Sequence, residues 1–203
     1  MFESCGGCCL LLIVIPLLCC IAFGGVAYYV YTYAPDEPVS DSFEPSNQQA
    51  NEFQVMLDTA VNNARSSGWF WMGFDEEQIS SWMALEGKDF ADEHGHVFPF
   101  SKMQVGLDDG EMTFYGELDT GVLMFPLEVV IEPTVSYDGQ LDLNITGVDV
   151  GGLKAPEFVT SMISDQFEEL LITPLEDLPG NPVFYRETLS VDDGRFEVQG
   201  VVN

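Results

Sequence analysis

Apolar positions along this chain follow different periods in successive segments. The first regime, Cys8–Val30, is almost continuous Leu, Ile, Val, Cys, Ala, Gly and Tyr around Pro16, and no charged residue lies between Glu3 and Asp36. At about 1.5 Å per residue, a helix of this length covers a hydrocarbon core of ~30 Å. Tyr28, Tyr29, Tyr31 and Tyr33 follow, where amphipathic rings favour the headgroup zone. The pattern predicts a tail at 1–7 and a transmembrane anchor at 8–33. A cleaved signal peptide is the alternative, but the run is long for a signal core and has no Lys or Arg before it. Leu18 before Cys19 does not suit a lipoprotein cleavage site, which needs a small residue there.

Residues 34–47 carry Pro35, Pro38 and Pro45 among acidic and small polar residues, the composition of an extended acidic linker. Helical periodicity then takes over. Phe53, Met56, Leu57, Ala60, Val61 and Ala64 lie on one face of a helix expected over about 48–66. Asp75 with Gln78 three residues later has the form of a capping box for a second helix, and Phe74 with Ile79 stands at the staple positions.

From Lys102 the period becomes two. Met112, Phe114 and Leu118 alternate with polar residues, as do Leu141, Leu143 and Ile145. Asp108-Asp109-Gly110 precedes the first of these runs and Asp138-Gly139 the second, while Asp192-Asp193-Gly194 precedes a third with Phe196 and Val198. Asp-Gly between alternating runs signals a hairpin, because Gly accepts the positive φ such turns require. The first and third copies share the layout Asp-Asp-Gly followed by Gly six residues later, at Gly116 and Gly200. Between the second and third hairpins, Pro156 opens a helix expected to run to about Ile172, with Val159, Met162, Ile163, Phe167, Leu170 and Leu171 on a wide apolar face. These elements predict a single α+β domain over 48–203. Its expected form is one curved antiparallel sheet of about six strands packed on two or three helices, with Gly116, Gly147 and Gly200 as candidate bulges or bends.

Charge narrows the partners. Acidic residues outnumber basic ones 34 to 6, and only Glu3 of the acids precedes Asp36. Such a field repels phosphates, so the chain is not a nucleic-acid binder. It fits solubility, or recognition of a cation or basic partner. No Lys or Arg precedes Arg65, so orientation rests on the short tail and the acidic flank, which place the domain outside the cytoplasm in a single-pass topology. All five cysteines lie in the first 20 residues, so the domain itself has neither disulfide nor thiolate metal site. Cys5, Cys8 and Cys9 are acylation candidates at the membrane edge.

Chemistry is sparse. His94-x-His96 beside Asp92 and Glu93 is where a metal would be sought, yet two imidazoles without a third His or a Cys leave a polar loop as the simpler reading. The acidic turns follow no calcium-loop spacing. No nucleophile elbow and no phosphate-cradling glycine loop occurs, so the sequence points to binding rather than catalysis, with no cofactor. The run Trp69-Phe70-Trp71-Met72 has two readings: an aromatic patch (Trp69, Phe70, Trp71) at a bilayer interface, or a cap on the core between the two helices.

The stretch Ile131–Phe158 contains Pro133, Asp138-Gly139, Leu141, Leu143, Ile145, Gly151-Gly152-Leu153 and Pro156 in the order strand, Asp-Gly, strand, Gly-Gly-Leu, Pro, helix. In this order it resembles the YpmS-like family of short membrane-anchored bacterial envelope proteins and the LmeA-like family of phospholipid-binding proteins, over about residues 75–203. The resemblance implies a lipid-handling domain of the bacterial cell envelope. With the apolar strand faces, it marks Met112, Phe114, Leu141, Leu143, Ile145, Met162, Phe167, Phe196 and Val198 as candidate ligand contacts. The bilayer holding the anchor and a lipid ligand are the expected partners. An envelope interaction module acting through its acidic surface is the alternative.

Overall fold

The structure is a computed structural model. It describes residues 43–95, 98–121, 123–157, 159–164, 167 and 182–202, together with Gly24, Gly25, Tyr28 and Tyr29. The anchor expected at 8–33 therefore lies outside the described residues except at those last four, which are helical. Among the described residues no helix is long and apolar enough to cross a membrane.

Helix α1 (Asn47–Ser67) buries Ala50, Phe53, Leu57, Ala60, Val61 and Ala64, the face that the periodicity marks. It stops at Gly68, whose φ of 69° suits a residue without Cβ and whose N–H reaches Ala64 O. The chain then turns directly into strand β1 (Trp69–Asp75). Helix α2 (Glu76–Leu85) begins with both capping-box bonds: the Gln78 N–H donates to the Asp75 carboxylate at 2.9 Å, and the Asp75 N–H to Gln78 Oε1 at 3.1 Å. Phe74 and Ile79 are both buried beside it. A further helix, α3 (Gly87–His94), ends at Gly95 in the left-handed region. The expected polar loop at His94 is thus a helix, and His96 lies outside the described residues.

Strands β2 (Phe100–Asp108), β3 (Glu111–Asp119), β4 (Met124–Val135), β5 (Leu141–Val150) and β6 (Leu153–Lys154) form an antiparallel meander in sequence order. The remaining strands are β7 (Pro182–Phe184), β8 (Ser190–Asp192) and β9 (Arg195–Val202), with a 3₁₀ turn at Arg186–Thr188. They form a second sheet in which β1 takes one edge of β9, while β7 and β8 share the other. The α+β class and the three Asp-Gly hairpins hold. The single sheet of about six strands does not: among the described residues nine strands lie in two sheets, because β1 pairs with β9 along its whole length, Trp69 opposite Val201 through Asp75 opposite Arg195. That pairing puts the third hairpin in a different sheet from the first two.

Two bulges keep the inner face of the five-stranded sheet apolar. Along β5, Leu141, Leu143 and Ile145 share a parity with each other but not with Val148 and Val150. The β4–β5 register passes from Val130 opposite Gly147 to Ile131 opposite Ile145, so Thr146 is the extra residue that restores the face. Along β2, the shift between Ser101 and Gln104 does the same for Phe100 and Met103, with Lys102 at φ 52°. Gly116 lies across from this second bulge, and a Cβ there would run into the Met103 sulfur. Gly200, on β9, would meet the carbonyl oxygen of Val183 and the ring of Phe70. Gly116 and Gly147 thus both stand at bulges, while Gly200 is a site of close approach.

A fourth helix, α4, is described at residues 157, 159–164 and 167. Pro156 opens it, its carbonyl accepting the N–H groups of Val159 and Thr160 at 2.9 and 3.0 Å. The remainder of the helix expected to about Ile172 lies outside the described residues. Its Ile163 and Phe167 are buried, the Phe167 ring standing 5.2 Å from that of Phe114 and 5.0 Å from that of Phe100. A second aromatic cluster joins α1 to β1 and α2, with Phe53 4.3 Å from Phe74 and 4.8 Å from Trp82.

Strand β2 is an edge, and an unpaired edge is a liability. Here side chains of α2 cover it. The Val105 N–H donates to Ser80 Oγ at 2.8 Å and the Leu107 N–H to Glu76 Oε1 at 2.7 Å. Ser81, buried beside Ser80, receives the N–H of Ser46 at 3.1 Å, fixing where the chain enters the domain.

Candidate functional site

The residues expected to contact a ligand separate into three environments. Met112, Phe114 and Phe167 are buried together on the inner face of the five-stranded sheet, where the ring contacts of Phe167 fill the space above β3. Phe196 and Val198 are on β9, in the other sheet: Val198 is fully buried opposite Met72, and Phe196 is half-buried opposite Phe74. Met162 points away from the core, with half its surface exposed. One apolar face holding all nine is therefore not what the chain builds; the two-sheet topology divides them.

Leu141, Leu143 and Ile145 make up the third environment. Their register partners on β4, Val135, Pro133 and Ile131, are buried, whereas these three are only half-buried on the same face one strand further out. The apolar face thus continues past the part closed by Ile163 and Phe167.

Trp69, Phe70 and Trp71 form a strand, so their side chains alternate. Phe70 and Met72 enter the core, Phe70 meeting Phe184 edge-on at 5.4 Å. Trp69 and Trp71 lie on the opposite face, Trp69 with 43% exposure and Trp71 half-buried. Trp69, Val201 and Val183 stand in register across three strands, giving an apolar row on the outside of the second sheet.

A separate groove of about 520 Å³ lies between α1 and α3. Asn47, Asn51 and Gln54 form one wall; Glu86, Asp89 and Glu93 form the other. Each wall uses the three- and four-residue spacing that puts side chains on one helical face. The base is aromatic: Trp82 and Phe90 meet edge-on at 5.3 Å, and Phe90 lies 4.2 Å from the ring of His94. Trp82 donates its indole N–H to Gln54 Oε1 at 3.3 Å, and His94 Nδ1 lies 2.8 Å from the Phe90 carbonyl oxygen. His94 is thus tied to its own helix. Among the described residues no group of three or more His, Cys, Asp or Glu side chains is placed to hold a metal ion. The sequence patterns do not reveal this groove, because its walls come from helices separated by the length of β1 and α2.

The acidic turns have identifiable local roles. In the β4–β5 turn the Ser136 hydroxyl donates to the Asp138 carboxylate, and this bond chiefly holds the Asp138 carboxyl below the ordinary aspartate range. In the β2–β3 turn Asp109 adopts φ 46°, a conformation Asp tolerates better than most residues.

No family model, curated protein or solved structure matches this chain.

Proposed function

We propose that this chain is a non-catalytic binding domain held at the outer face of a cell membrane by its N-terminal helix, and that it takes an apolar ligand, a lipid or a molecule of similar character, along the β5 side of the five-stranded sheet. The observation that carries the reading is the row Leu141, Leu143 and Ile145. It extends a buried apolar face yet stays half-buried, while its partners on β4 are closed off. Burying three such side chains against an acyl chain stabilises a complex by roughly 25 cal/mol for each Å² removed from water. The apolar run at 8–30 and the resemblance over residues 75–203 support the same reading.

The test uses the full-length chain in membranes with a photoactivatable phospholipid, mapping cross-linked peptides by mass spectrometry. Adducts within residues 141–145, lost on Leu143→Glu, are the expected result. Adducts confined to residues 8–33 would show only that the anchor touches lipid, and would remove the binding site.

A second reading, recognition of a cationic group or basic partner, is favoured by the groove between α1 and α3. Its carboxylates Glu86, Asp89 and Glu93 line an aromatic base with no Lys or Arg on its walls. Salt separates the two readings: ionic recognition weakens as the Debye length falls from about 10 Å at 0.1 M to about 3 Å at 1 M, while apolar binding does not.

A further inference from the structure

The two closest sequence repeats meet in space through equivalent atoms. In the first hairpin the N–H of Gly110 donates to the carbonyl of Val191 at 2.9 Å; in the third the N–H of Gly194 donates to the carbonyl of Leu107 at 2.8 Å. Gly110 and Gly194 are the same position of the Asp-Asp-Gly repeat, and Leu107 and Val191 both immediately precede the first Asp. Each turn therefore gives and receives the same bond, and this reciprocal pair stitches the five-stranded sheet to the four-stranded one. The Glu76 N–H also approaches the Gly194 carbonyl, at 3.4 Å, while the Glu76 carboxylate holds the Leu107 N–H at 2.7 Å. Backbone from both turns and the first residue of α2 thus converge on one seam.

The seam is crowded with like charge. Glu76 is partly buried and faces Asp108 from β2, Asp193 from the β8–β9 turn and Asp75 from its own N-cap. Glu77 on the same helix is exposed. The one cation on the adjoining strand, Arg195, is opposite Asp75 in register and pairs with Glu197 at 2.6 Å.

We propose that this seam is an acid-set latch between the two sheets, tight when Glu76 is neutral and loosened when it ionises. A protonated Glu76 still accepts the Leu107 N–H through its carbonyl oxygen, but no longer repels three carboxylates or needs a hydration shell that the seam partly denies it. An ionised Glu76 gains by opening, since water then reaches the carboxylate and the like charges separate. Burial pushes its carboxyl above the ordinary glutamate range, with the repulsion of Asp193, Asp75 and Asp108 adding to it and the Leu107 bond opposing. A group raised in the folded state contributes stability below its unfolded pKa and loses it as pH rises through the folded one. Acid therefore closes the latch, and neutral pH strains it.

The experiment is amide hydrogen exchange on the full-length chain in mild detergent, corrected for the intrinsic pH dependence of exchange. It reads the peptides holding Leu107, Gly110 and Gly194. Protection should rise several-fold on acidification from neutral pH through the Glu76 titration. Glu76→Gln, which keeps the acceptor oxygen and removes the charge, should show the high protection at every pH; Glu111→Gln, an exposed glutamate beside the same turn, should keep the wild-type dependence. Added salt should raise wild-type protection at neutral pH by screening the repulsion, a reading that needs no variant. An unchanged pH dependence in Glu76→Gln, or a loss of protection with salt, overturns the proposal.

Discussion

Ser80 and Ser81 are adjacent, fully buried and differently employed: one closes the edge of β2, the other receives the entering chain at Ser46. Removing the Ser80 hydroxyl strands the Val105 N–H where water does not reach it, and an orphaned buried donor costs ~1–3 kcal/mol. Ser80→Ala should therefore lower the urea midpoint clearly, and Ser81→Ala less, because Ser46 lies at a partly buried entry point. Gly200→Ala is expected to destabilise by about 1–3 kcal/mol through overpacking against Val183 and Phe70, measurable as a fall in Tm. Asp138 titrates in the opposite sense to Glu76: its carboxyl is held down, so the turn's stability is present above the unfolded pKa and fades as pH falls through the folded one. An NMR titration of the Gln140 amide would report it. The capping box at Asp75 was readable from the sequence because all its atoms lie within four residues. The serines were not, since nothing local says that Ser80 will meet a strand 25 residues later.

At the scale of elements, local chemistry and periodicity carried the helices and hairpins, while partner choice stayed hidden. An Asp-Gly turn specifies which strands pair across it but is silent about the sheet they join. Strand β1 escaped detection because Trp69, Phe70, Trp71 and Met72 are all large and apolar, which erases the alternation that marks a half-buried strand. Helix α3 hid for the opposite reason: it is short and polar, with only Gly87 and Ala91 buried. The candidate apolar contacts were legible as positions and not as a site, because parity assigns a face within one sheet and the domain has two. Helix α4 offers the sharpest energetic test. Phe167→Ala leaves a void against Phe100 and Phe114 that should cost ~3–5 kcal/mol in denaturant unfolding, whereas Met162→Ala, at an exposed position, should stay within about 0.5 kcal/mol.

For the whole molecule, the cysteine distribution makes topology directly measurable. Every native thiol lies in the first 20 residues, and Tyr137 is fully exposed at the β4–β5 turn. Tyr137→Cys should react with a membrane-impermeant maleimide in intact cells, while the parent chain shows at most the labelling of its N-terminal cysteines. Labelling of Tyr137→Cys only after lysis would place the domain on the inner side.

The pairing of β1 with β9 also imposes a schedule. Among the described residues β1 has β9 as its strand partner, and roughly 120 residues separate them. At a synthesis rate of about 5–20 residues per second, Trp69–Asp75 waits on the order of 6–24 s as an unpaired, tryptophan-bearing strand. During that interval α1 and α2 are the contacts it has within reach, and the second sheet forms only once Arg195–Val202 has been made.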